Sequence, residues 1–189
     1  MSATWKVLQG DCIEVMRDME SASFELIFAD PPYHLSNGGF SVQSGKQVSV
    51  HKGQWDKSAG TSADFDFHQT WIRECLRLLT ENGSLVISGT YHSIYSCGTI
   101  LQQEGARIIN ELVWFKPNGA PALGGRNFTA SHETLIWASK SPKSKHTFNY
   151  QESKNFDHQG DSLKNPGKQM RSVWSIPAVS KSEKKHGGH

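Results

Sequence analysis

The sequence predicts an α/β fold whose sheet is mostly parallel. Short apolar runs typical of buried strands alternate with amphipathic segments of helical spacing, and this alternation indicates crossover units between parallel strands. The chain has 189 residues, a length that suits one domain with a sizeable core. Hydrophobic residues make up 36% and charged residues 20%, with six Trp, so the composition excludes a disordered protein.

The first predicted elements are two strands separated by a short helix. Residues 5–9 form the first strand, and a turn at residues 10 and 11 leads into an amphipathic helix. Residues 24–29 are apolar nearly throughout, as expected for a central parallel strand buried on both faces. Residues 30–33 follow directly. Residues 34–60 then lack periodicity, and a loop of this length inside a compact domain is often functional.

The remaining elements repeat the alternation of helix and strand. Ser62 or Asp64 can cap a helix whose inner side carries apolar residues, and Asn82-Gly83 ends that helix. Beyond residue 150 the chain is polar and basic, with a few apolar anchors near residue 174. The other predicted elements, in chain order, are a strand at 84–88, a helix at 91–104, a strand at 107–115, a loop at 116–131, a strand at 132–138 and a short strand at 147–150.

Composition argues against several classes of protein. No apolar run approaches the roughly 18 residues that a membrane span needs, and the first residues show no secretory stretch, so we expect a cytoplasmic protein. The three Cys lie far apart, which argues against a disulfide framework and a zinc knuckle. Nine His are scattered without the spacing of ligands, and we expect no metal site.

The charge is distributed unevenly along the chain. Residues 1–100 hold 7 Lys and Arg against 11 Asp and Glu, a balance of −4, and residues 101–189 hold the other 13 and 7, a balance of +6. A basic half favours a polyanionic partner such as nucleic acid, because contacts of Lys and Arg with phosphate dominate affinity there. A solvated basic tail explains the same imbalance equally well.

The sequence Asp-Pro-Pro-Tyr at residues 30–33 is the strongest functional signal, because ligands of open α/β sheets bind beyond the carboxyl ends of strands. These residue types suit methylation of an exocyclic amine on a nucleobase, whose lone pair is delocalised into the ring. The Asp30 carboxylate and the Pro31 carbonyl can accept the amino hydrogens, and Pro32 stiffens the loop. Tyr33 offers a flat face to a flipped-out base. The alternative is an ordinary Pro-Pro turn with a capping Asp and a surface Tyr.

Four segments resemble the amino-methylating DNA methyltransferases, in the motif order of their β subclass: Gly10-Asp11-Cys12, residues 24–33, residues 114–118 and residues 129–138. The stretch between residues 37 and 56 further resembles the adenine enzymes of GATC-type restriction-modification systems. The resemblance implies a Rossmann-like fold, S-adenosyl-L-methionine as cofactor, DNA as partner, and methyl transfer to N6 of adenine. A cytosine-N4 enzyme and a non-catalytic nucleic-acid-binding remnant stay open as alternatives.

The resemblance also assigns roles to single residues. It places Asp11, Cys12 and Asp30 at the cofactor, with Asp11 against its adenine moiety, and it gives Asp30 and Pro31 the target amine. An Asp rather than a Ser at position 30 is more similar to the adenine branch than to the cytosine branch. From the residues alone, Asp11 is equally well explained as a helix N-cap.

Five residues in loops are candidate contacts for DNA, through phosphate or base edges. Polar and basic loop residues are about as often merely exposed to solvent, so this second interpretation stays open. The candidates are Lys116, Asn118, Arg126, Lys46 and Lys52.

The resemblance has one gap. The Phe-x-Gly-x-Gly turn that the family uses for its cofactor does not occur in these 189 residues. We therefore expect residues 1–150 to be a catalytic half with a DNA-facing loop at 34–60. Residues 151–189 would be a basic polar segment leading towards a missing half or a second chain. The sheet would then keep an open edge and an uncovered apolar face, which makes a homo-oligomer conceivable.

Overall fold

The computed structural model describes residues 4–34, 40–43, 46–49, 53–119, 121–155, 161, 165 and 167–179. The elements in these ranges include four helices, none of them both long and apolar enough to cross a membrane. In chain order the helices and strands are α1 (Cys12–Arg17), β1 (Phe24–Ala29), β2 (Phe40–Gln43), β3 (Lys46–Ser49), α2 (Thr61–Leu78), β4 (Leu79–Gly89), α3 (Ile94–Gln103), β5 (Arg107–Phe115), β6 (His132–Ser139), α4 (Glu152–Asn155) and β7 (Val173–Ser175).

Five strands form one mixed sheet in the order β1-β4-β6-β5-β7. The pairs β1–β4 and β5–β7 are parallel, whereas β6 runs antiparallel to both of its neighbours. β6 therefore departs from the expected parallel direction. The reason lies in the connection from β5, where the described residues between 116 and 131 form turns and no helix. A return without a crossover helix brings the next strand back antiparallel.

The core lies between one face of the sheet and the helices α2 and α3. On α2 the apolar positions recur at helical spacing, and Trp71, Ile72, Cys75 and Leu76 are buried, as the sequence predicts. Burial of each large aliphatic side chain contributes roughly 1.5–3 kcal/mol. The residues that meet α2 in this core include Leu85, Ile87, Ile100, Leu101, Ile136 and Ala138.

Several local predictions are wrong. Residues 5–9 form no strand, and Trp5 is exposed. The N-cap of α2 is Gly60, without a side-chain cap, while Asp64 accepts hydrogen bonds from the preceding loop. That helix ends at Leu78, because the buried Leu79 is already extended, and Asn82-Gly83, predicted to end the helix, lies within β4. Residues 147–150, predicted as a short strand, form none either.

β1 is an edge strand, which corrects the prediction of a strand buried on both faces. Ile27 and Ala29 pack against the core beneath the helices. Leu26 and Phe28 point to the other face and are each 62% exposed. Alternation along a strand sends neighbours to opposite faces, and the described helices cover only one of them here. The apolar run at 24–29 therefore leaves an open apolar face beside an edge that the described strands do not pair, as the missing glycine turn led us to expect.

One edge of the sheet collects the carboxyl ends of β1, β4 and β5 and the start of β6. β7 extends the sheet beside β5, so the chain after residue 150 contributes a strand to the fold. The predicted anchors of that segment make these contacts, since Trp174 pairs with Trp114 and the amide of Ile176 donates to Phe115. Residues 30–33 lie at the edge formed by the carboxyl ends of β1, β4 and β5.

Candidate functional site

A row of polar side chains crosses four neighbouring strands at this edge. Asp30 follows β1, Ser88 lies near the end of β4, Glu133 near the start of β6, and Lys116 follows β5. The register places Trp114 opposite Glu133. Lys116 comes two residues after Trp114 and points to the same face of the sheet, so it is a diagonal neighbour of Glu133. Strand pairing thus brings together residues that are far apart in the chain.

Two hydroxyl groups hold one oxygen of the Asp30 carboxylate. Tyr33 donates to Oδ1 of Asp30 over 2.6 Å, and Ser88 donates to the same atom over 2.6 Å. Within the described part of the chain, Oδ2 of Asp30 accepts no hydrogen bond, and the residue is exposed. The carboxylate is therefore fixed in orientation by one oxygen and open to an external donor through the other.

Tyr33 is buried, with 9% of its surface exposed. Its hydroxyl also lies 3.2 Å from Oγ of Ser88 and 3.3 Å from Oε2 of Glu133. Burial, together with the hydrogen bond to Asp30, raises the pKa of Tyr33, so the phenol keeps its proton at physiological pH. The sequence predicts a ring that stacks on a base. The structure adds a hydroxyl that positions Asp30, and the stacking role stays a prediction.

Lys116 forms an ion pair with Glu133 inside this network. The side chains of both residues are largely buried, and Nζ of Lys116 also lies 4.2 Å from the centre of the Trp114 ring. The sequence predicts a DNA contact for Lys116. In the structure its charge faces a carboxylate and an aromatic ring within the site, and its contact with DNA stays a prediction.

The other candidate DNA contacts fall in different places. The side-chain amide of Asn118 makes two hydrogen bonds with the backbone of Ala178, over 2.8 and 3.0 Å, and so ties the chain after β7 to the sheet. Arg126 lies in an exposed loop and has no ion-pair partner in the described ranges. Lys46 belongs to β3, but its side chain, like all of Lys52, lies outside the described residues. Their contacts with DNA stay predictions.

Asp11 caps α1. Its Oδ1 accepts hydrogen bonds from the amides of Ile13 and Glu14, over 2.9 and 3.2 Å. Asp11 is therefore a helix N-cap, as one of the two interpretations of the sequence has it. The second oxygen of the carboxylate accepts no hydrogen bond from the described residues. Contact of Asp11 with a cofactor stays a prediction that this second oxygen permits.

A cavity of about 250 Å³ adjoins Asp30, between the end of β1 and the helices α1 and α2. Cys12 and residues 30–32 line it together, so the structure brings two of the three predicted cofactor residues to one space. Burial, followed by the nearby Asp11 carboxylate, raises the pKa of the Cys12 thiol. The remaining walls are apolar and include Met16, Ile27, Phe28, Phe67 and Trp71.

A second cavity of about 300 Å³ opens between the start of α3 and the loop before β6. Exposed aromatic rings border it, from Tyr91, Tyr95 and Phe128, of which Phe128 is 98% exposed. Sequence reasoning missed these rings, together with Ser88 and Glu133. The available signal was position for three of them, because Ser88 and Tyr91 lie at or just beyond the end of β4, and Glu133 lies at the start of β6.

A protein-family model described as DNA methylase (N6_N4_Mtase) matches residues 24–189. The chain is 44% identical over 184 residues to the Type II methyltransferase M2.LlaDCHI of Lactococcus lactis subsp. cremoris, covering 97% of this chain and 65% of that protein. It is 42% identical to the Type II methyltransferase M2.DpnII of Streptococcus pneumoniae, covering 97% and 66% of the two chains. The chain thus spans slightly less than two thirds of the length of these relatives.

Solved structures show the same fold at low identity. The complex of M1.HpyAVI with SAM is 19% identical, with a TM-score of 0.55, covering 95% of this chain and 68% of that one. TTHA0409 of Thermus thermophilus is 20% identical, with a TM-score of 0.57 over 90% and 66%. The cytosine-N4-specific PvuII DNA methyltransferase is 14% identical, with a TM-score of 0.60 over 91% and 57%. These likenesses confirm the predicted Rossmann-like fold.

Proposed function

The chain belongs to the N6/N4 DNA methylase family, and from that membership we propose that its site holds the exocyclic amine of adenine in DNA for methylation at N6. The observation that carries the proposal is the Asp30 carboxylate, with Oδ1 fixed by Tyr33 and Ser88 and Oδ2 open. The named relatives are Type II methyltransferases, which supports a role in restriction-modification.

The chemistry follows from the needs of an aromatic amine. Its lone pair is delocalised into the ring, so the nitrogen is a poor nucleophile until its hydrogens are drawn out of the ring plane. Oδ2 of Asp30 accepts one amino hydrogen, and the Pro31 carbonyl, which accepts no hydrogen bond within the described ranges, takes the other. Fixing both acceptors beforehand means that little reorganisation is needed during the reaction.

S-Adenosyl-L-methionine, when bound, supplies an electrophilic methyl group. The residues around the cavity beside Asp30 fit such a molecule, because flat apolar walls suit the adenosine rings and a carboxylate stands at the margin. Cys12, Phe28 and Trp71 would hold the group there, with Asp11 nearby at the start of α1. The cavity of about 250 Å³ is slightly below the usual range of roughly 300–1,000 Å³ for small-molecule sites. The described residues therefore enclose less volume than small-molecule sites usually have.

Exposed aromatic rings and an exposed arginine next to the site support DNA as the substrate. A base must leave the duplex to reach Asp30, and exposed aromatic rings offer surfaces on which unstacked bases can rest. Tyr91, Tyr95 and Phe128 provide such rings, and the exposed Arg126 of the same loop region can reach phosphate.

The identity of the methylated base tests the proposal. DNA without modified bases is incubated with the protein and with S-adenosyl-L-methionine at a concentration high enough to occupy a weak site, digested to nucleosides and analysed by mass spectrometry. We expect N6-methyldeoxyadenosine as the product. N4-methyldeoxycytidine would overturn the choice of base, and DNA that is bound but never methylated would favour a non-catalytic binding protein.

A further inference from the structure

We propose that Lys116 is a positioning residue of the target-amine site, which neutralises Glu133 so that Asp30 acts as the one uncompensated carboxylate beside Tyr33. The inference rests on the proposed function and deepens it. It also gives Lys116 a different role from the DNA contact that its loop position predicts.

The geometry joins four side chains through one hydroxyl group. The Tyr33 oxygen is 2.6 Å from Oδ1 of Asp30 and 3.3 Å from Oε2 of Glu133, and Oε1 of Glu133 pairs with Nζ of Lys116. The two carboxylates thus lie within the range of roughly 4–6 Å over which neighbouring charges interact strongly. Lys116 reaches Asp30 only through Glu133 and Tyr33, so it acts indirectly.

Charge counting shows why the pair matters. Two carboxylates on either side of one hydroxyl repel each other, and the repulsion is relieved when one of them takes up a proton. Asp30 is the more damaging place for that proton, because a protonated carboxyl no longer accepts an amino hydrogen well. The ammonium group of Lys116 pairs with Glu133 and so removes the repulsion between the two carboxylates. Glu133 still faces the Tyr33 hydroxyl.

Lys116 is poorly suited to phosphate in this arrangement. Its side chain is only 20% exposed, and its ammonium group is held between Glu133 and the ring of Trp114. Leaving that position would strand the largely buried Glu133 carboxylate without its partner, which is costly. The exposed Arg126 bears no such cost when it meets phosphate.

Other groups that face Asp30 do not supply this compensation. Cys12 and Cys75 line the cavity on the other side, and their thiols are neutral because burial raises the pKa of each. His34 follows Tyr33 but turns towards α2, where its Nδ1 is 3.9 Å from Asp64. The groups facing Asp30 in the described part of the chain are Tyr33, Ser88, Glu133 with Lys116, Cys12 and Cys75.

Three variants of the pair test the inference without any need for activity. The carboxyl signal of Asp30 is followed by carbon-13 NMR as a function of pH in Lys116→Met, Glu133→Gln and the double variant, and is assigned by its loss in Asp30→Asn. We expect the midpoint to rise in Lys116→Met, because an unpaired Glu133 repels the charged form of Asp30. It should fall in Glu133→Gln and return near the original value in the double variant.

The double variant also guards against misfolding, because removing both partners of a buried pair is tolerated better than removing one. Lys143→Met, an exposed lysine beyond the opposite end of β6, is the matched control and should leave the midpoint unchanged. Midpoints that agree in all variants, or that shift in the same direction in both single variants, would overturn the charge-compensating role.

Methylation and DNA binding provide the second readout. In Lys116→Met the rate should fall up to about tenfold on the acid side of the pH profile and recover at alkaline pH. The salt dependence of DNA binding should keep its slope, whereas loss of a phosphate contact would lower the slope by about one unit. A lower slope with an unmoved midpoint would make Lys116 a DNA contact. A wild-type protein that methylates nothing would contradict the proposed function and leave the NMR pattern as an independent result.

Discussion

The hydroxyl of Tyr33 is the residue-scale feature that links the candidate site together. It is the donor to Asp30 and the neighbour of Ser88 and Glu133, so one oxygen contacts three strands. The ring alone could stack on a base, but only the hydroxyl can orient the carboxylate. The two roles are separable by substitution.

In Tyr33→Phe we expect methyl transfer to fall about tenfold or more, although the ring is retained. The variant removes a hydrogen-bond donor from a buried network, and an unsatisfied buried acceptor costs roughly 1–3 kcal/mol of free energy. A loss of about 1.4 kcal/mol corresponds to a factor of ten in rate. Ser88→Ala should have a similar effect, and the double variant should lose less than the sum because both donors serve one oxygen. Full activity in Tyr33→Phe would show that the hydroxyl does not position Asp30.

The three thiols should differ sharply in reactivity. Burial raises the pKa of Cys75 and of Cys97 to about 12, so neither thiol forms thiolate at neutral pH. Cys12 is exposed and lines the cavity beside Asp30. Its raised pKa predicts slow alkylation at pH 7 and faster alkylation as the pH rises towards and above 9, because the thiolate is the reactive form.

Mass spectrometry after treatment with iodoacetamide checks this order. Label should appear at Cys12 in the folded chain and at Cys75 and Cys97 only after unfolding. If the cavity holds S-adenosyl-L-methionine, adding it should slow labelling of Cys12. Equal labelling of all three thiols in the folded chain would contradict the burial described here.

At the scale of elements, hydrophobic periodicity predicted the strands and helices that build the core. Strand β5 has the predicted bounds, and the inner face of α2 is the predicted one, because both patterns report directly on burial. The direction of β6 and the edge position of β1 depend on neighbours in space. An apolar run such as residues 24–29 does not reveal whether its second face is covered.

Strand β1 provides a matched pair of substitutions. Ile27→Ala should destabilise the chain by about 2 kcal/mol or more, because Ile27 packs against the core under the helices. Leu26→Ala should change stability by no more than about 0.5 kcal/mol, because Leu26 is 62% exposed. Urea unfolding of both variants measures the difference. Equal losses would show that the outer face of β1 is covered in solution.

The candidate site was predictable only in part from the sequence, and the reason lies in how strands pair. Asp30 and Tyr33 are neighbours in one motif, so their chemistry shows in the sequence. Ser88 is 55 residues from Tyr33 and Glu133 is 100 residues from it, and register alone brings them together. The loop position of Lys116 is visible in the sequence and its ion pair with Glu133 is not, so the sequence indicates only the DNA contact, which stays a prediction.

At the scale of the whole molecule, the cavity beside Asp30 lies on the side of β1 that faces α1 and α2, and the opposite face of β1 is exposed. The chain spans 65% of the length of the relative M2.LlaDCHI, and the described residues enclose about 250 Å³. A site with a missing wall loses both contacts and preorganisation. We therefore expect the 189-residue chain by itself to bind S-adenosyl-L-methionine weakly.

Calorimetry of the purified 189-residue chain measures this binding. Weak or undetectable heat of binding is the expected result. A dissociation constant near or below about 1 μM, roughly −8.2 kcal/mol, would show that the residues described here already enclose the ligand.

The substitution Asp30→Asn tests whether Oδ2 of Asp30 accepts a hydrogen bond from the target amine during methyl transfer. The variant keeps the shape of the side chain and removes its charge, while Asp18→Asn, an exposed position at the end of α1, is the control. Methyl transfer to DNA, DNA affinity and melting temperature are measured together on the intact protein. We expect Asp30→Asn to lose about a hundredfold or more in the rate of methyl transfer, while its DNA affinity and melting temperature match those of the control. Transfer within a few-fold of the original protein would contradict this expectation.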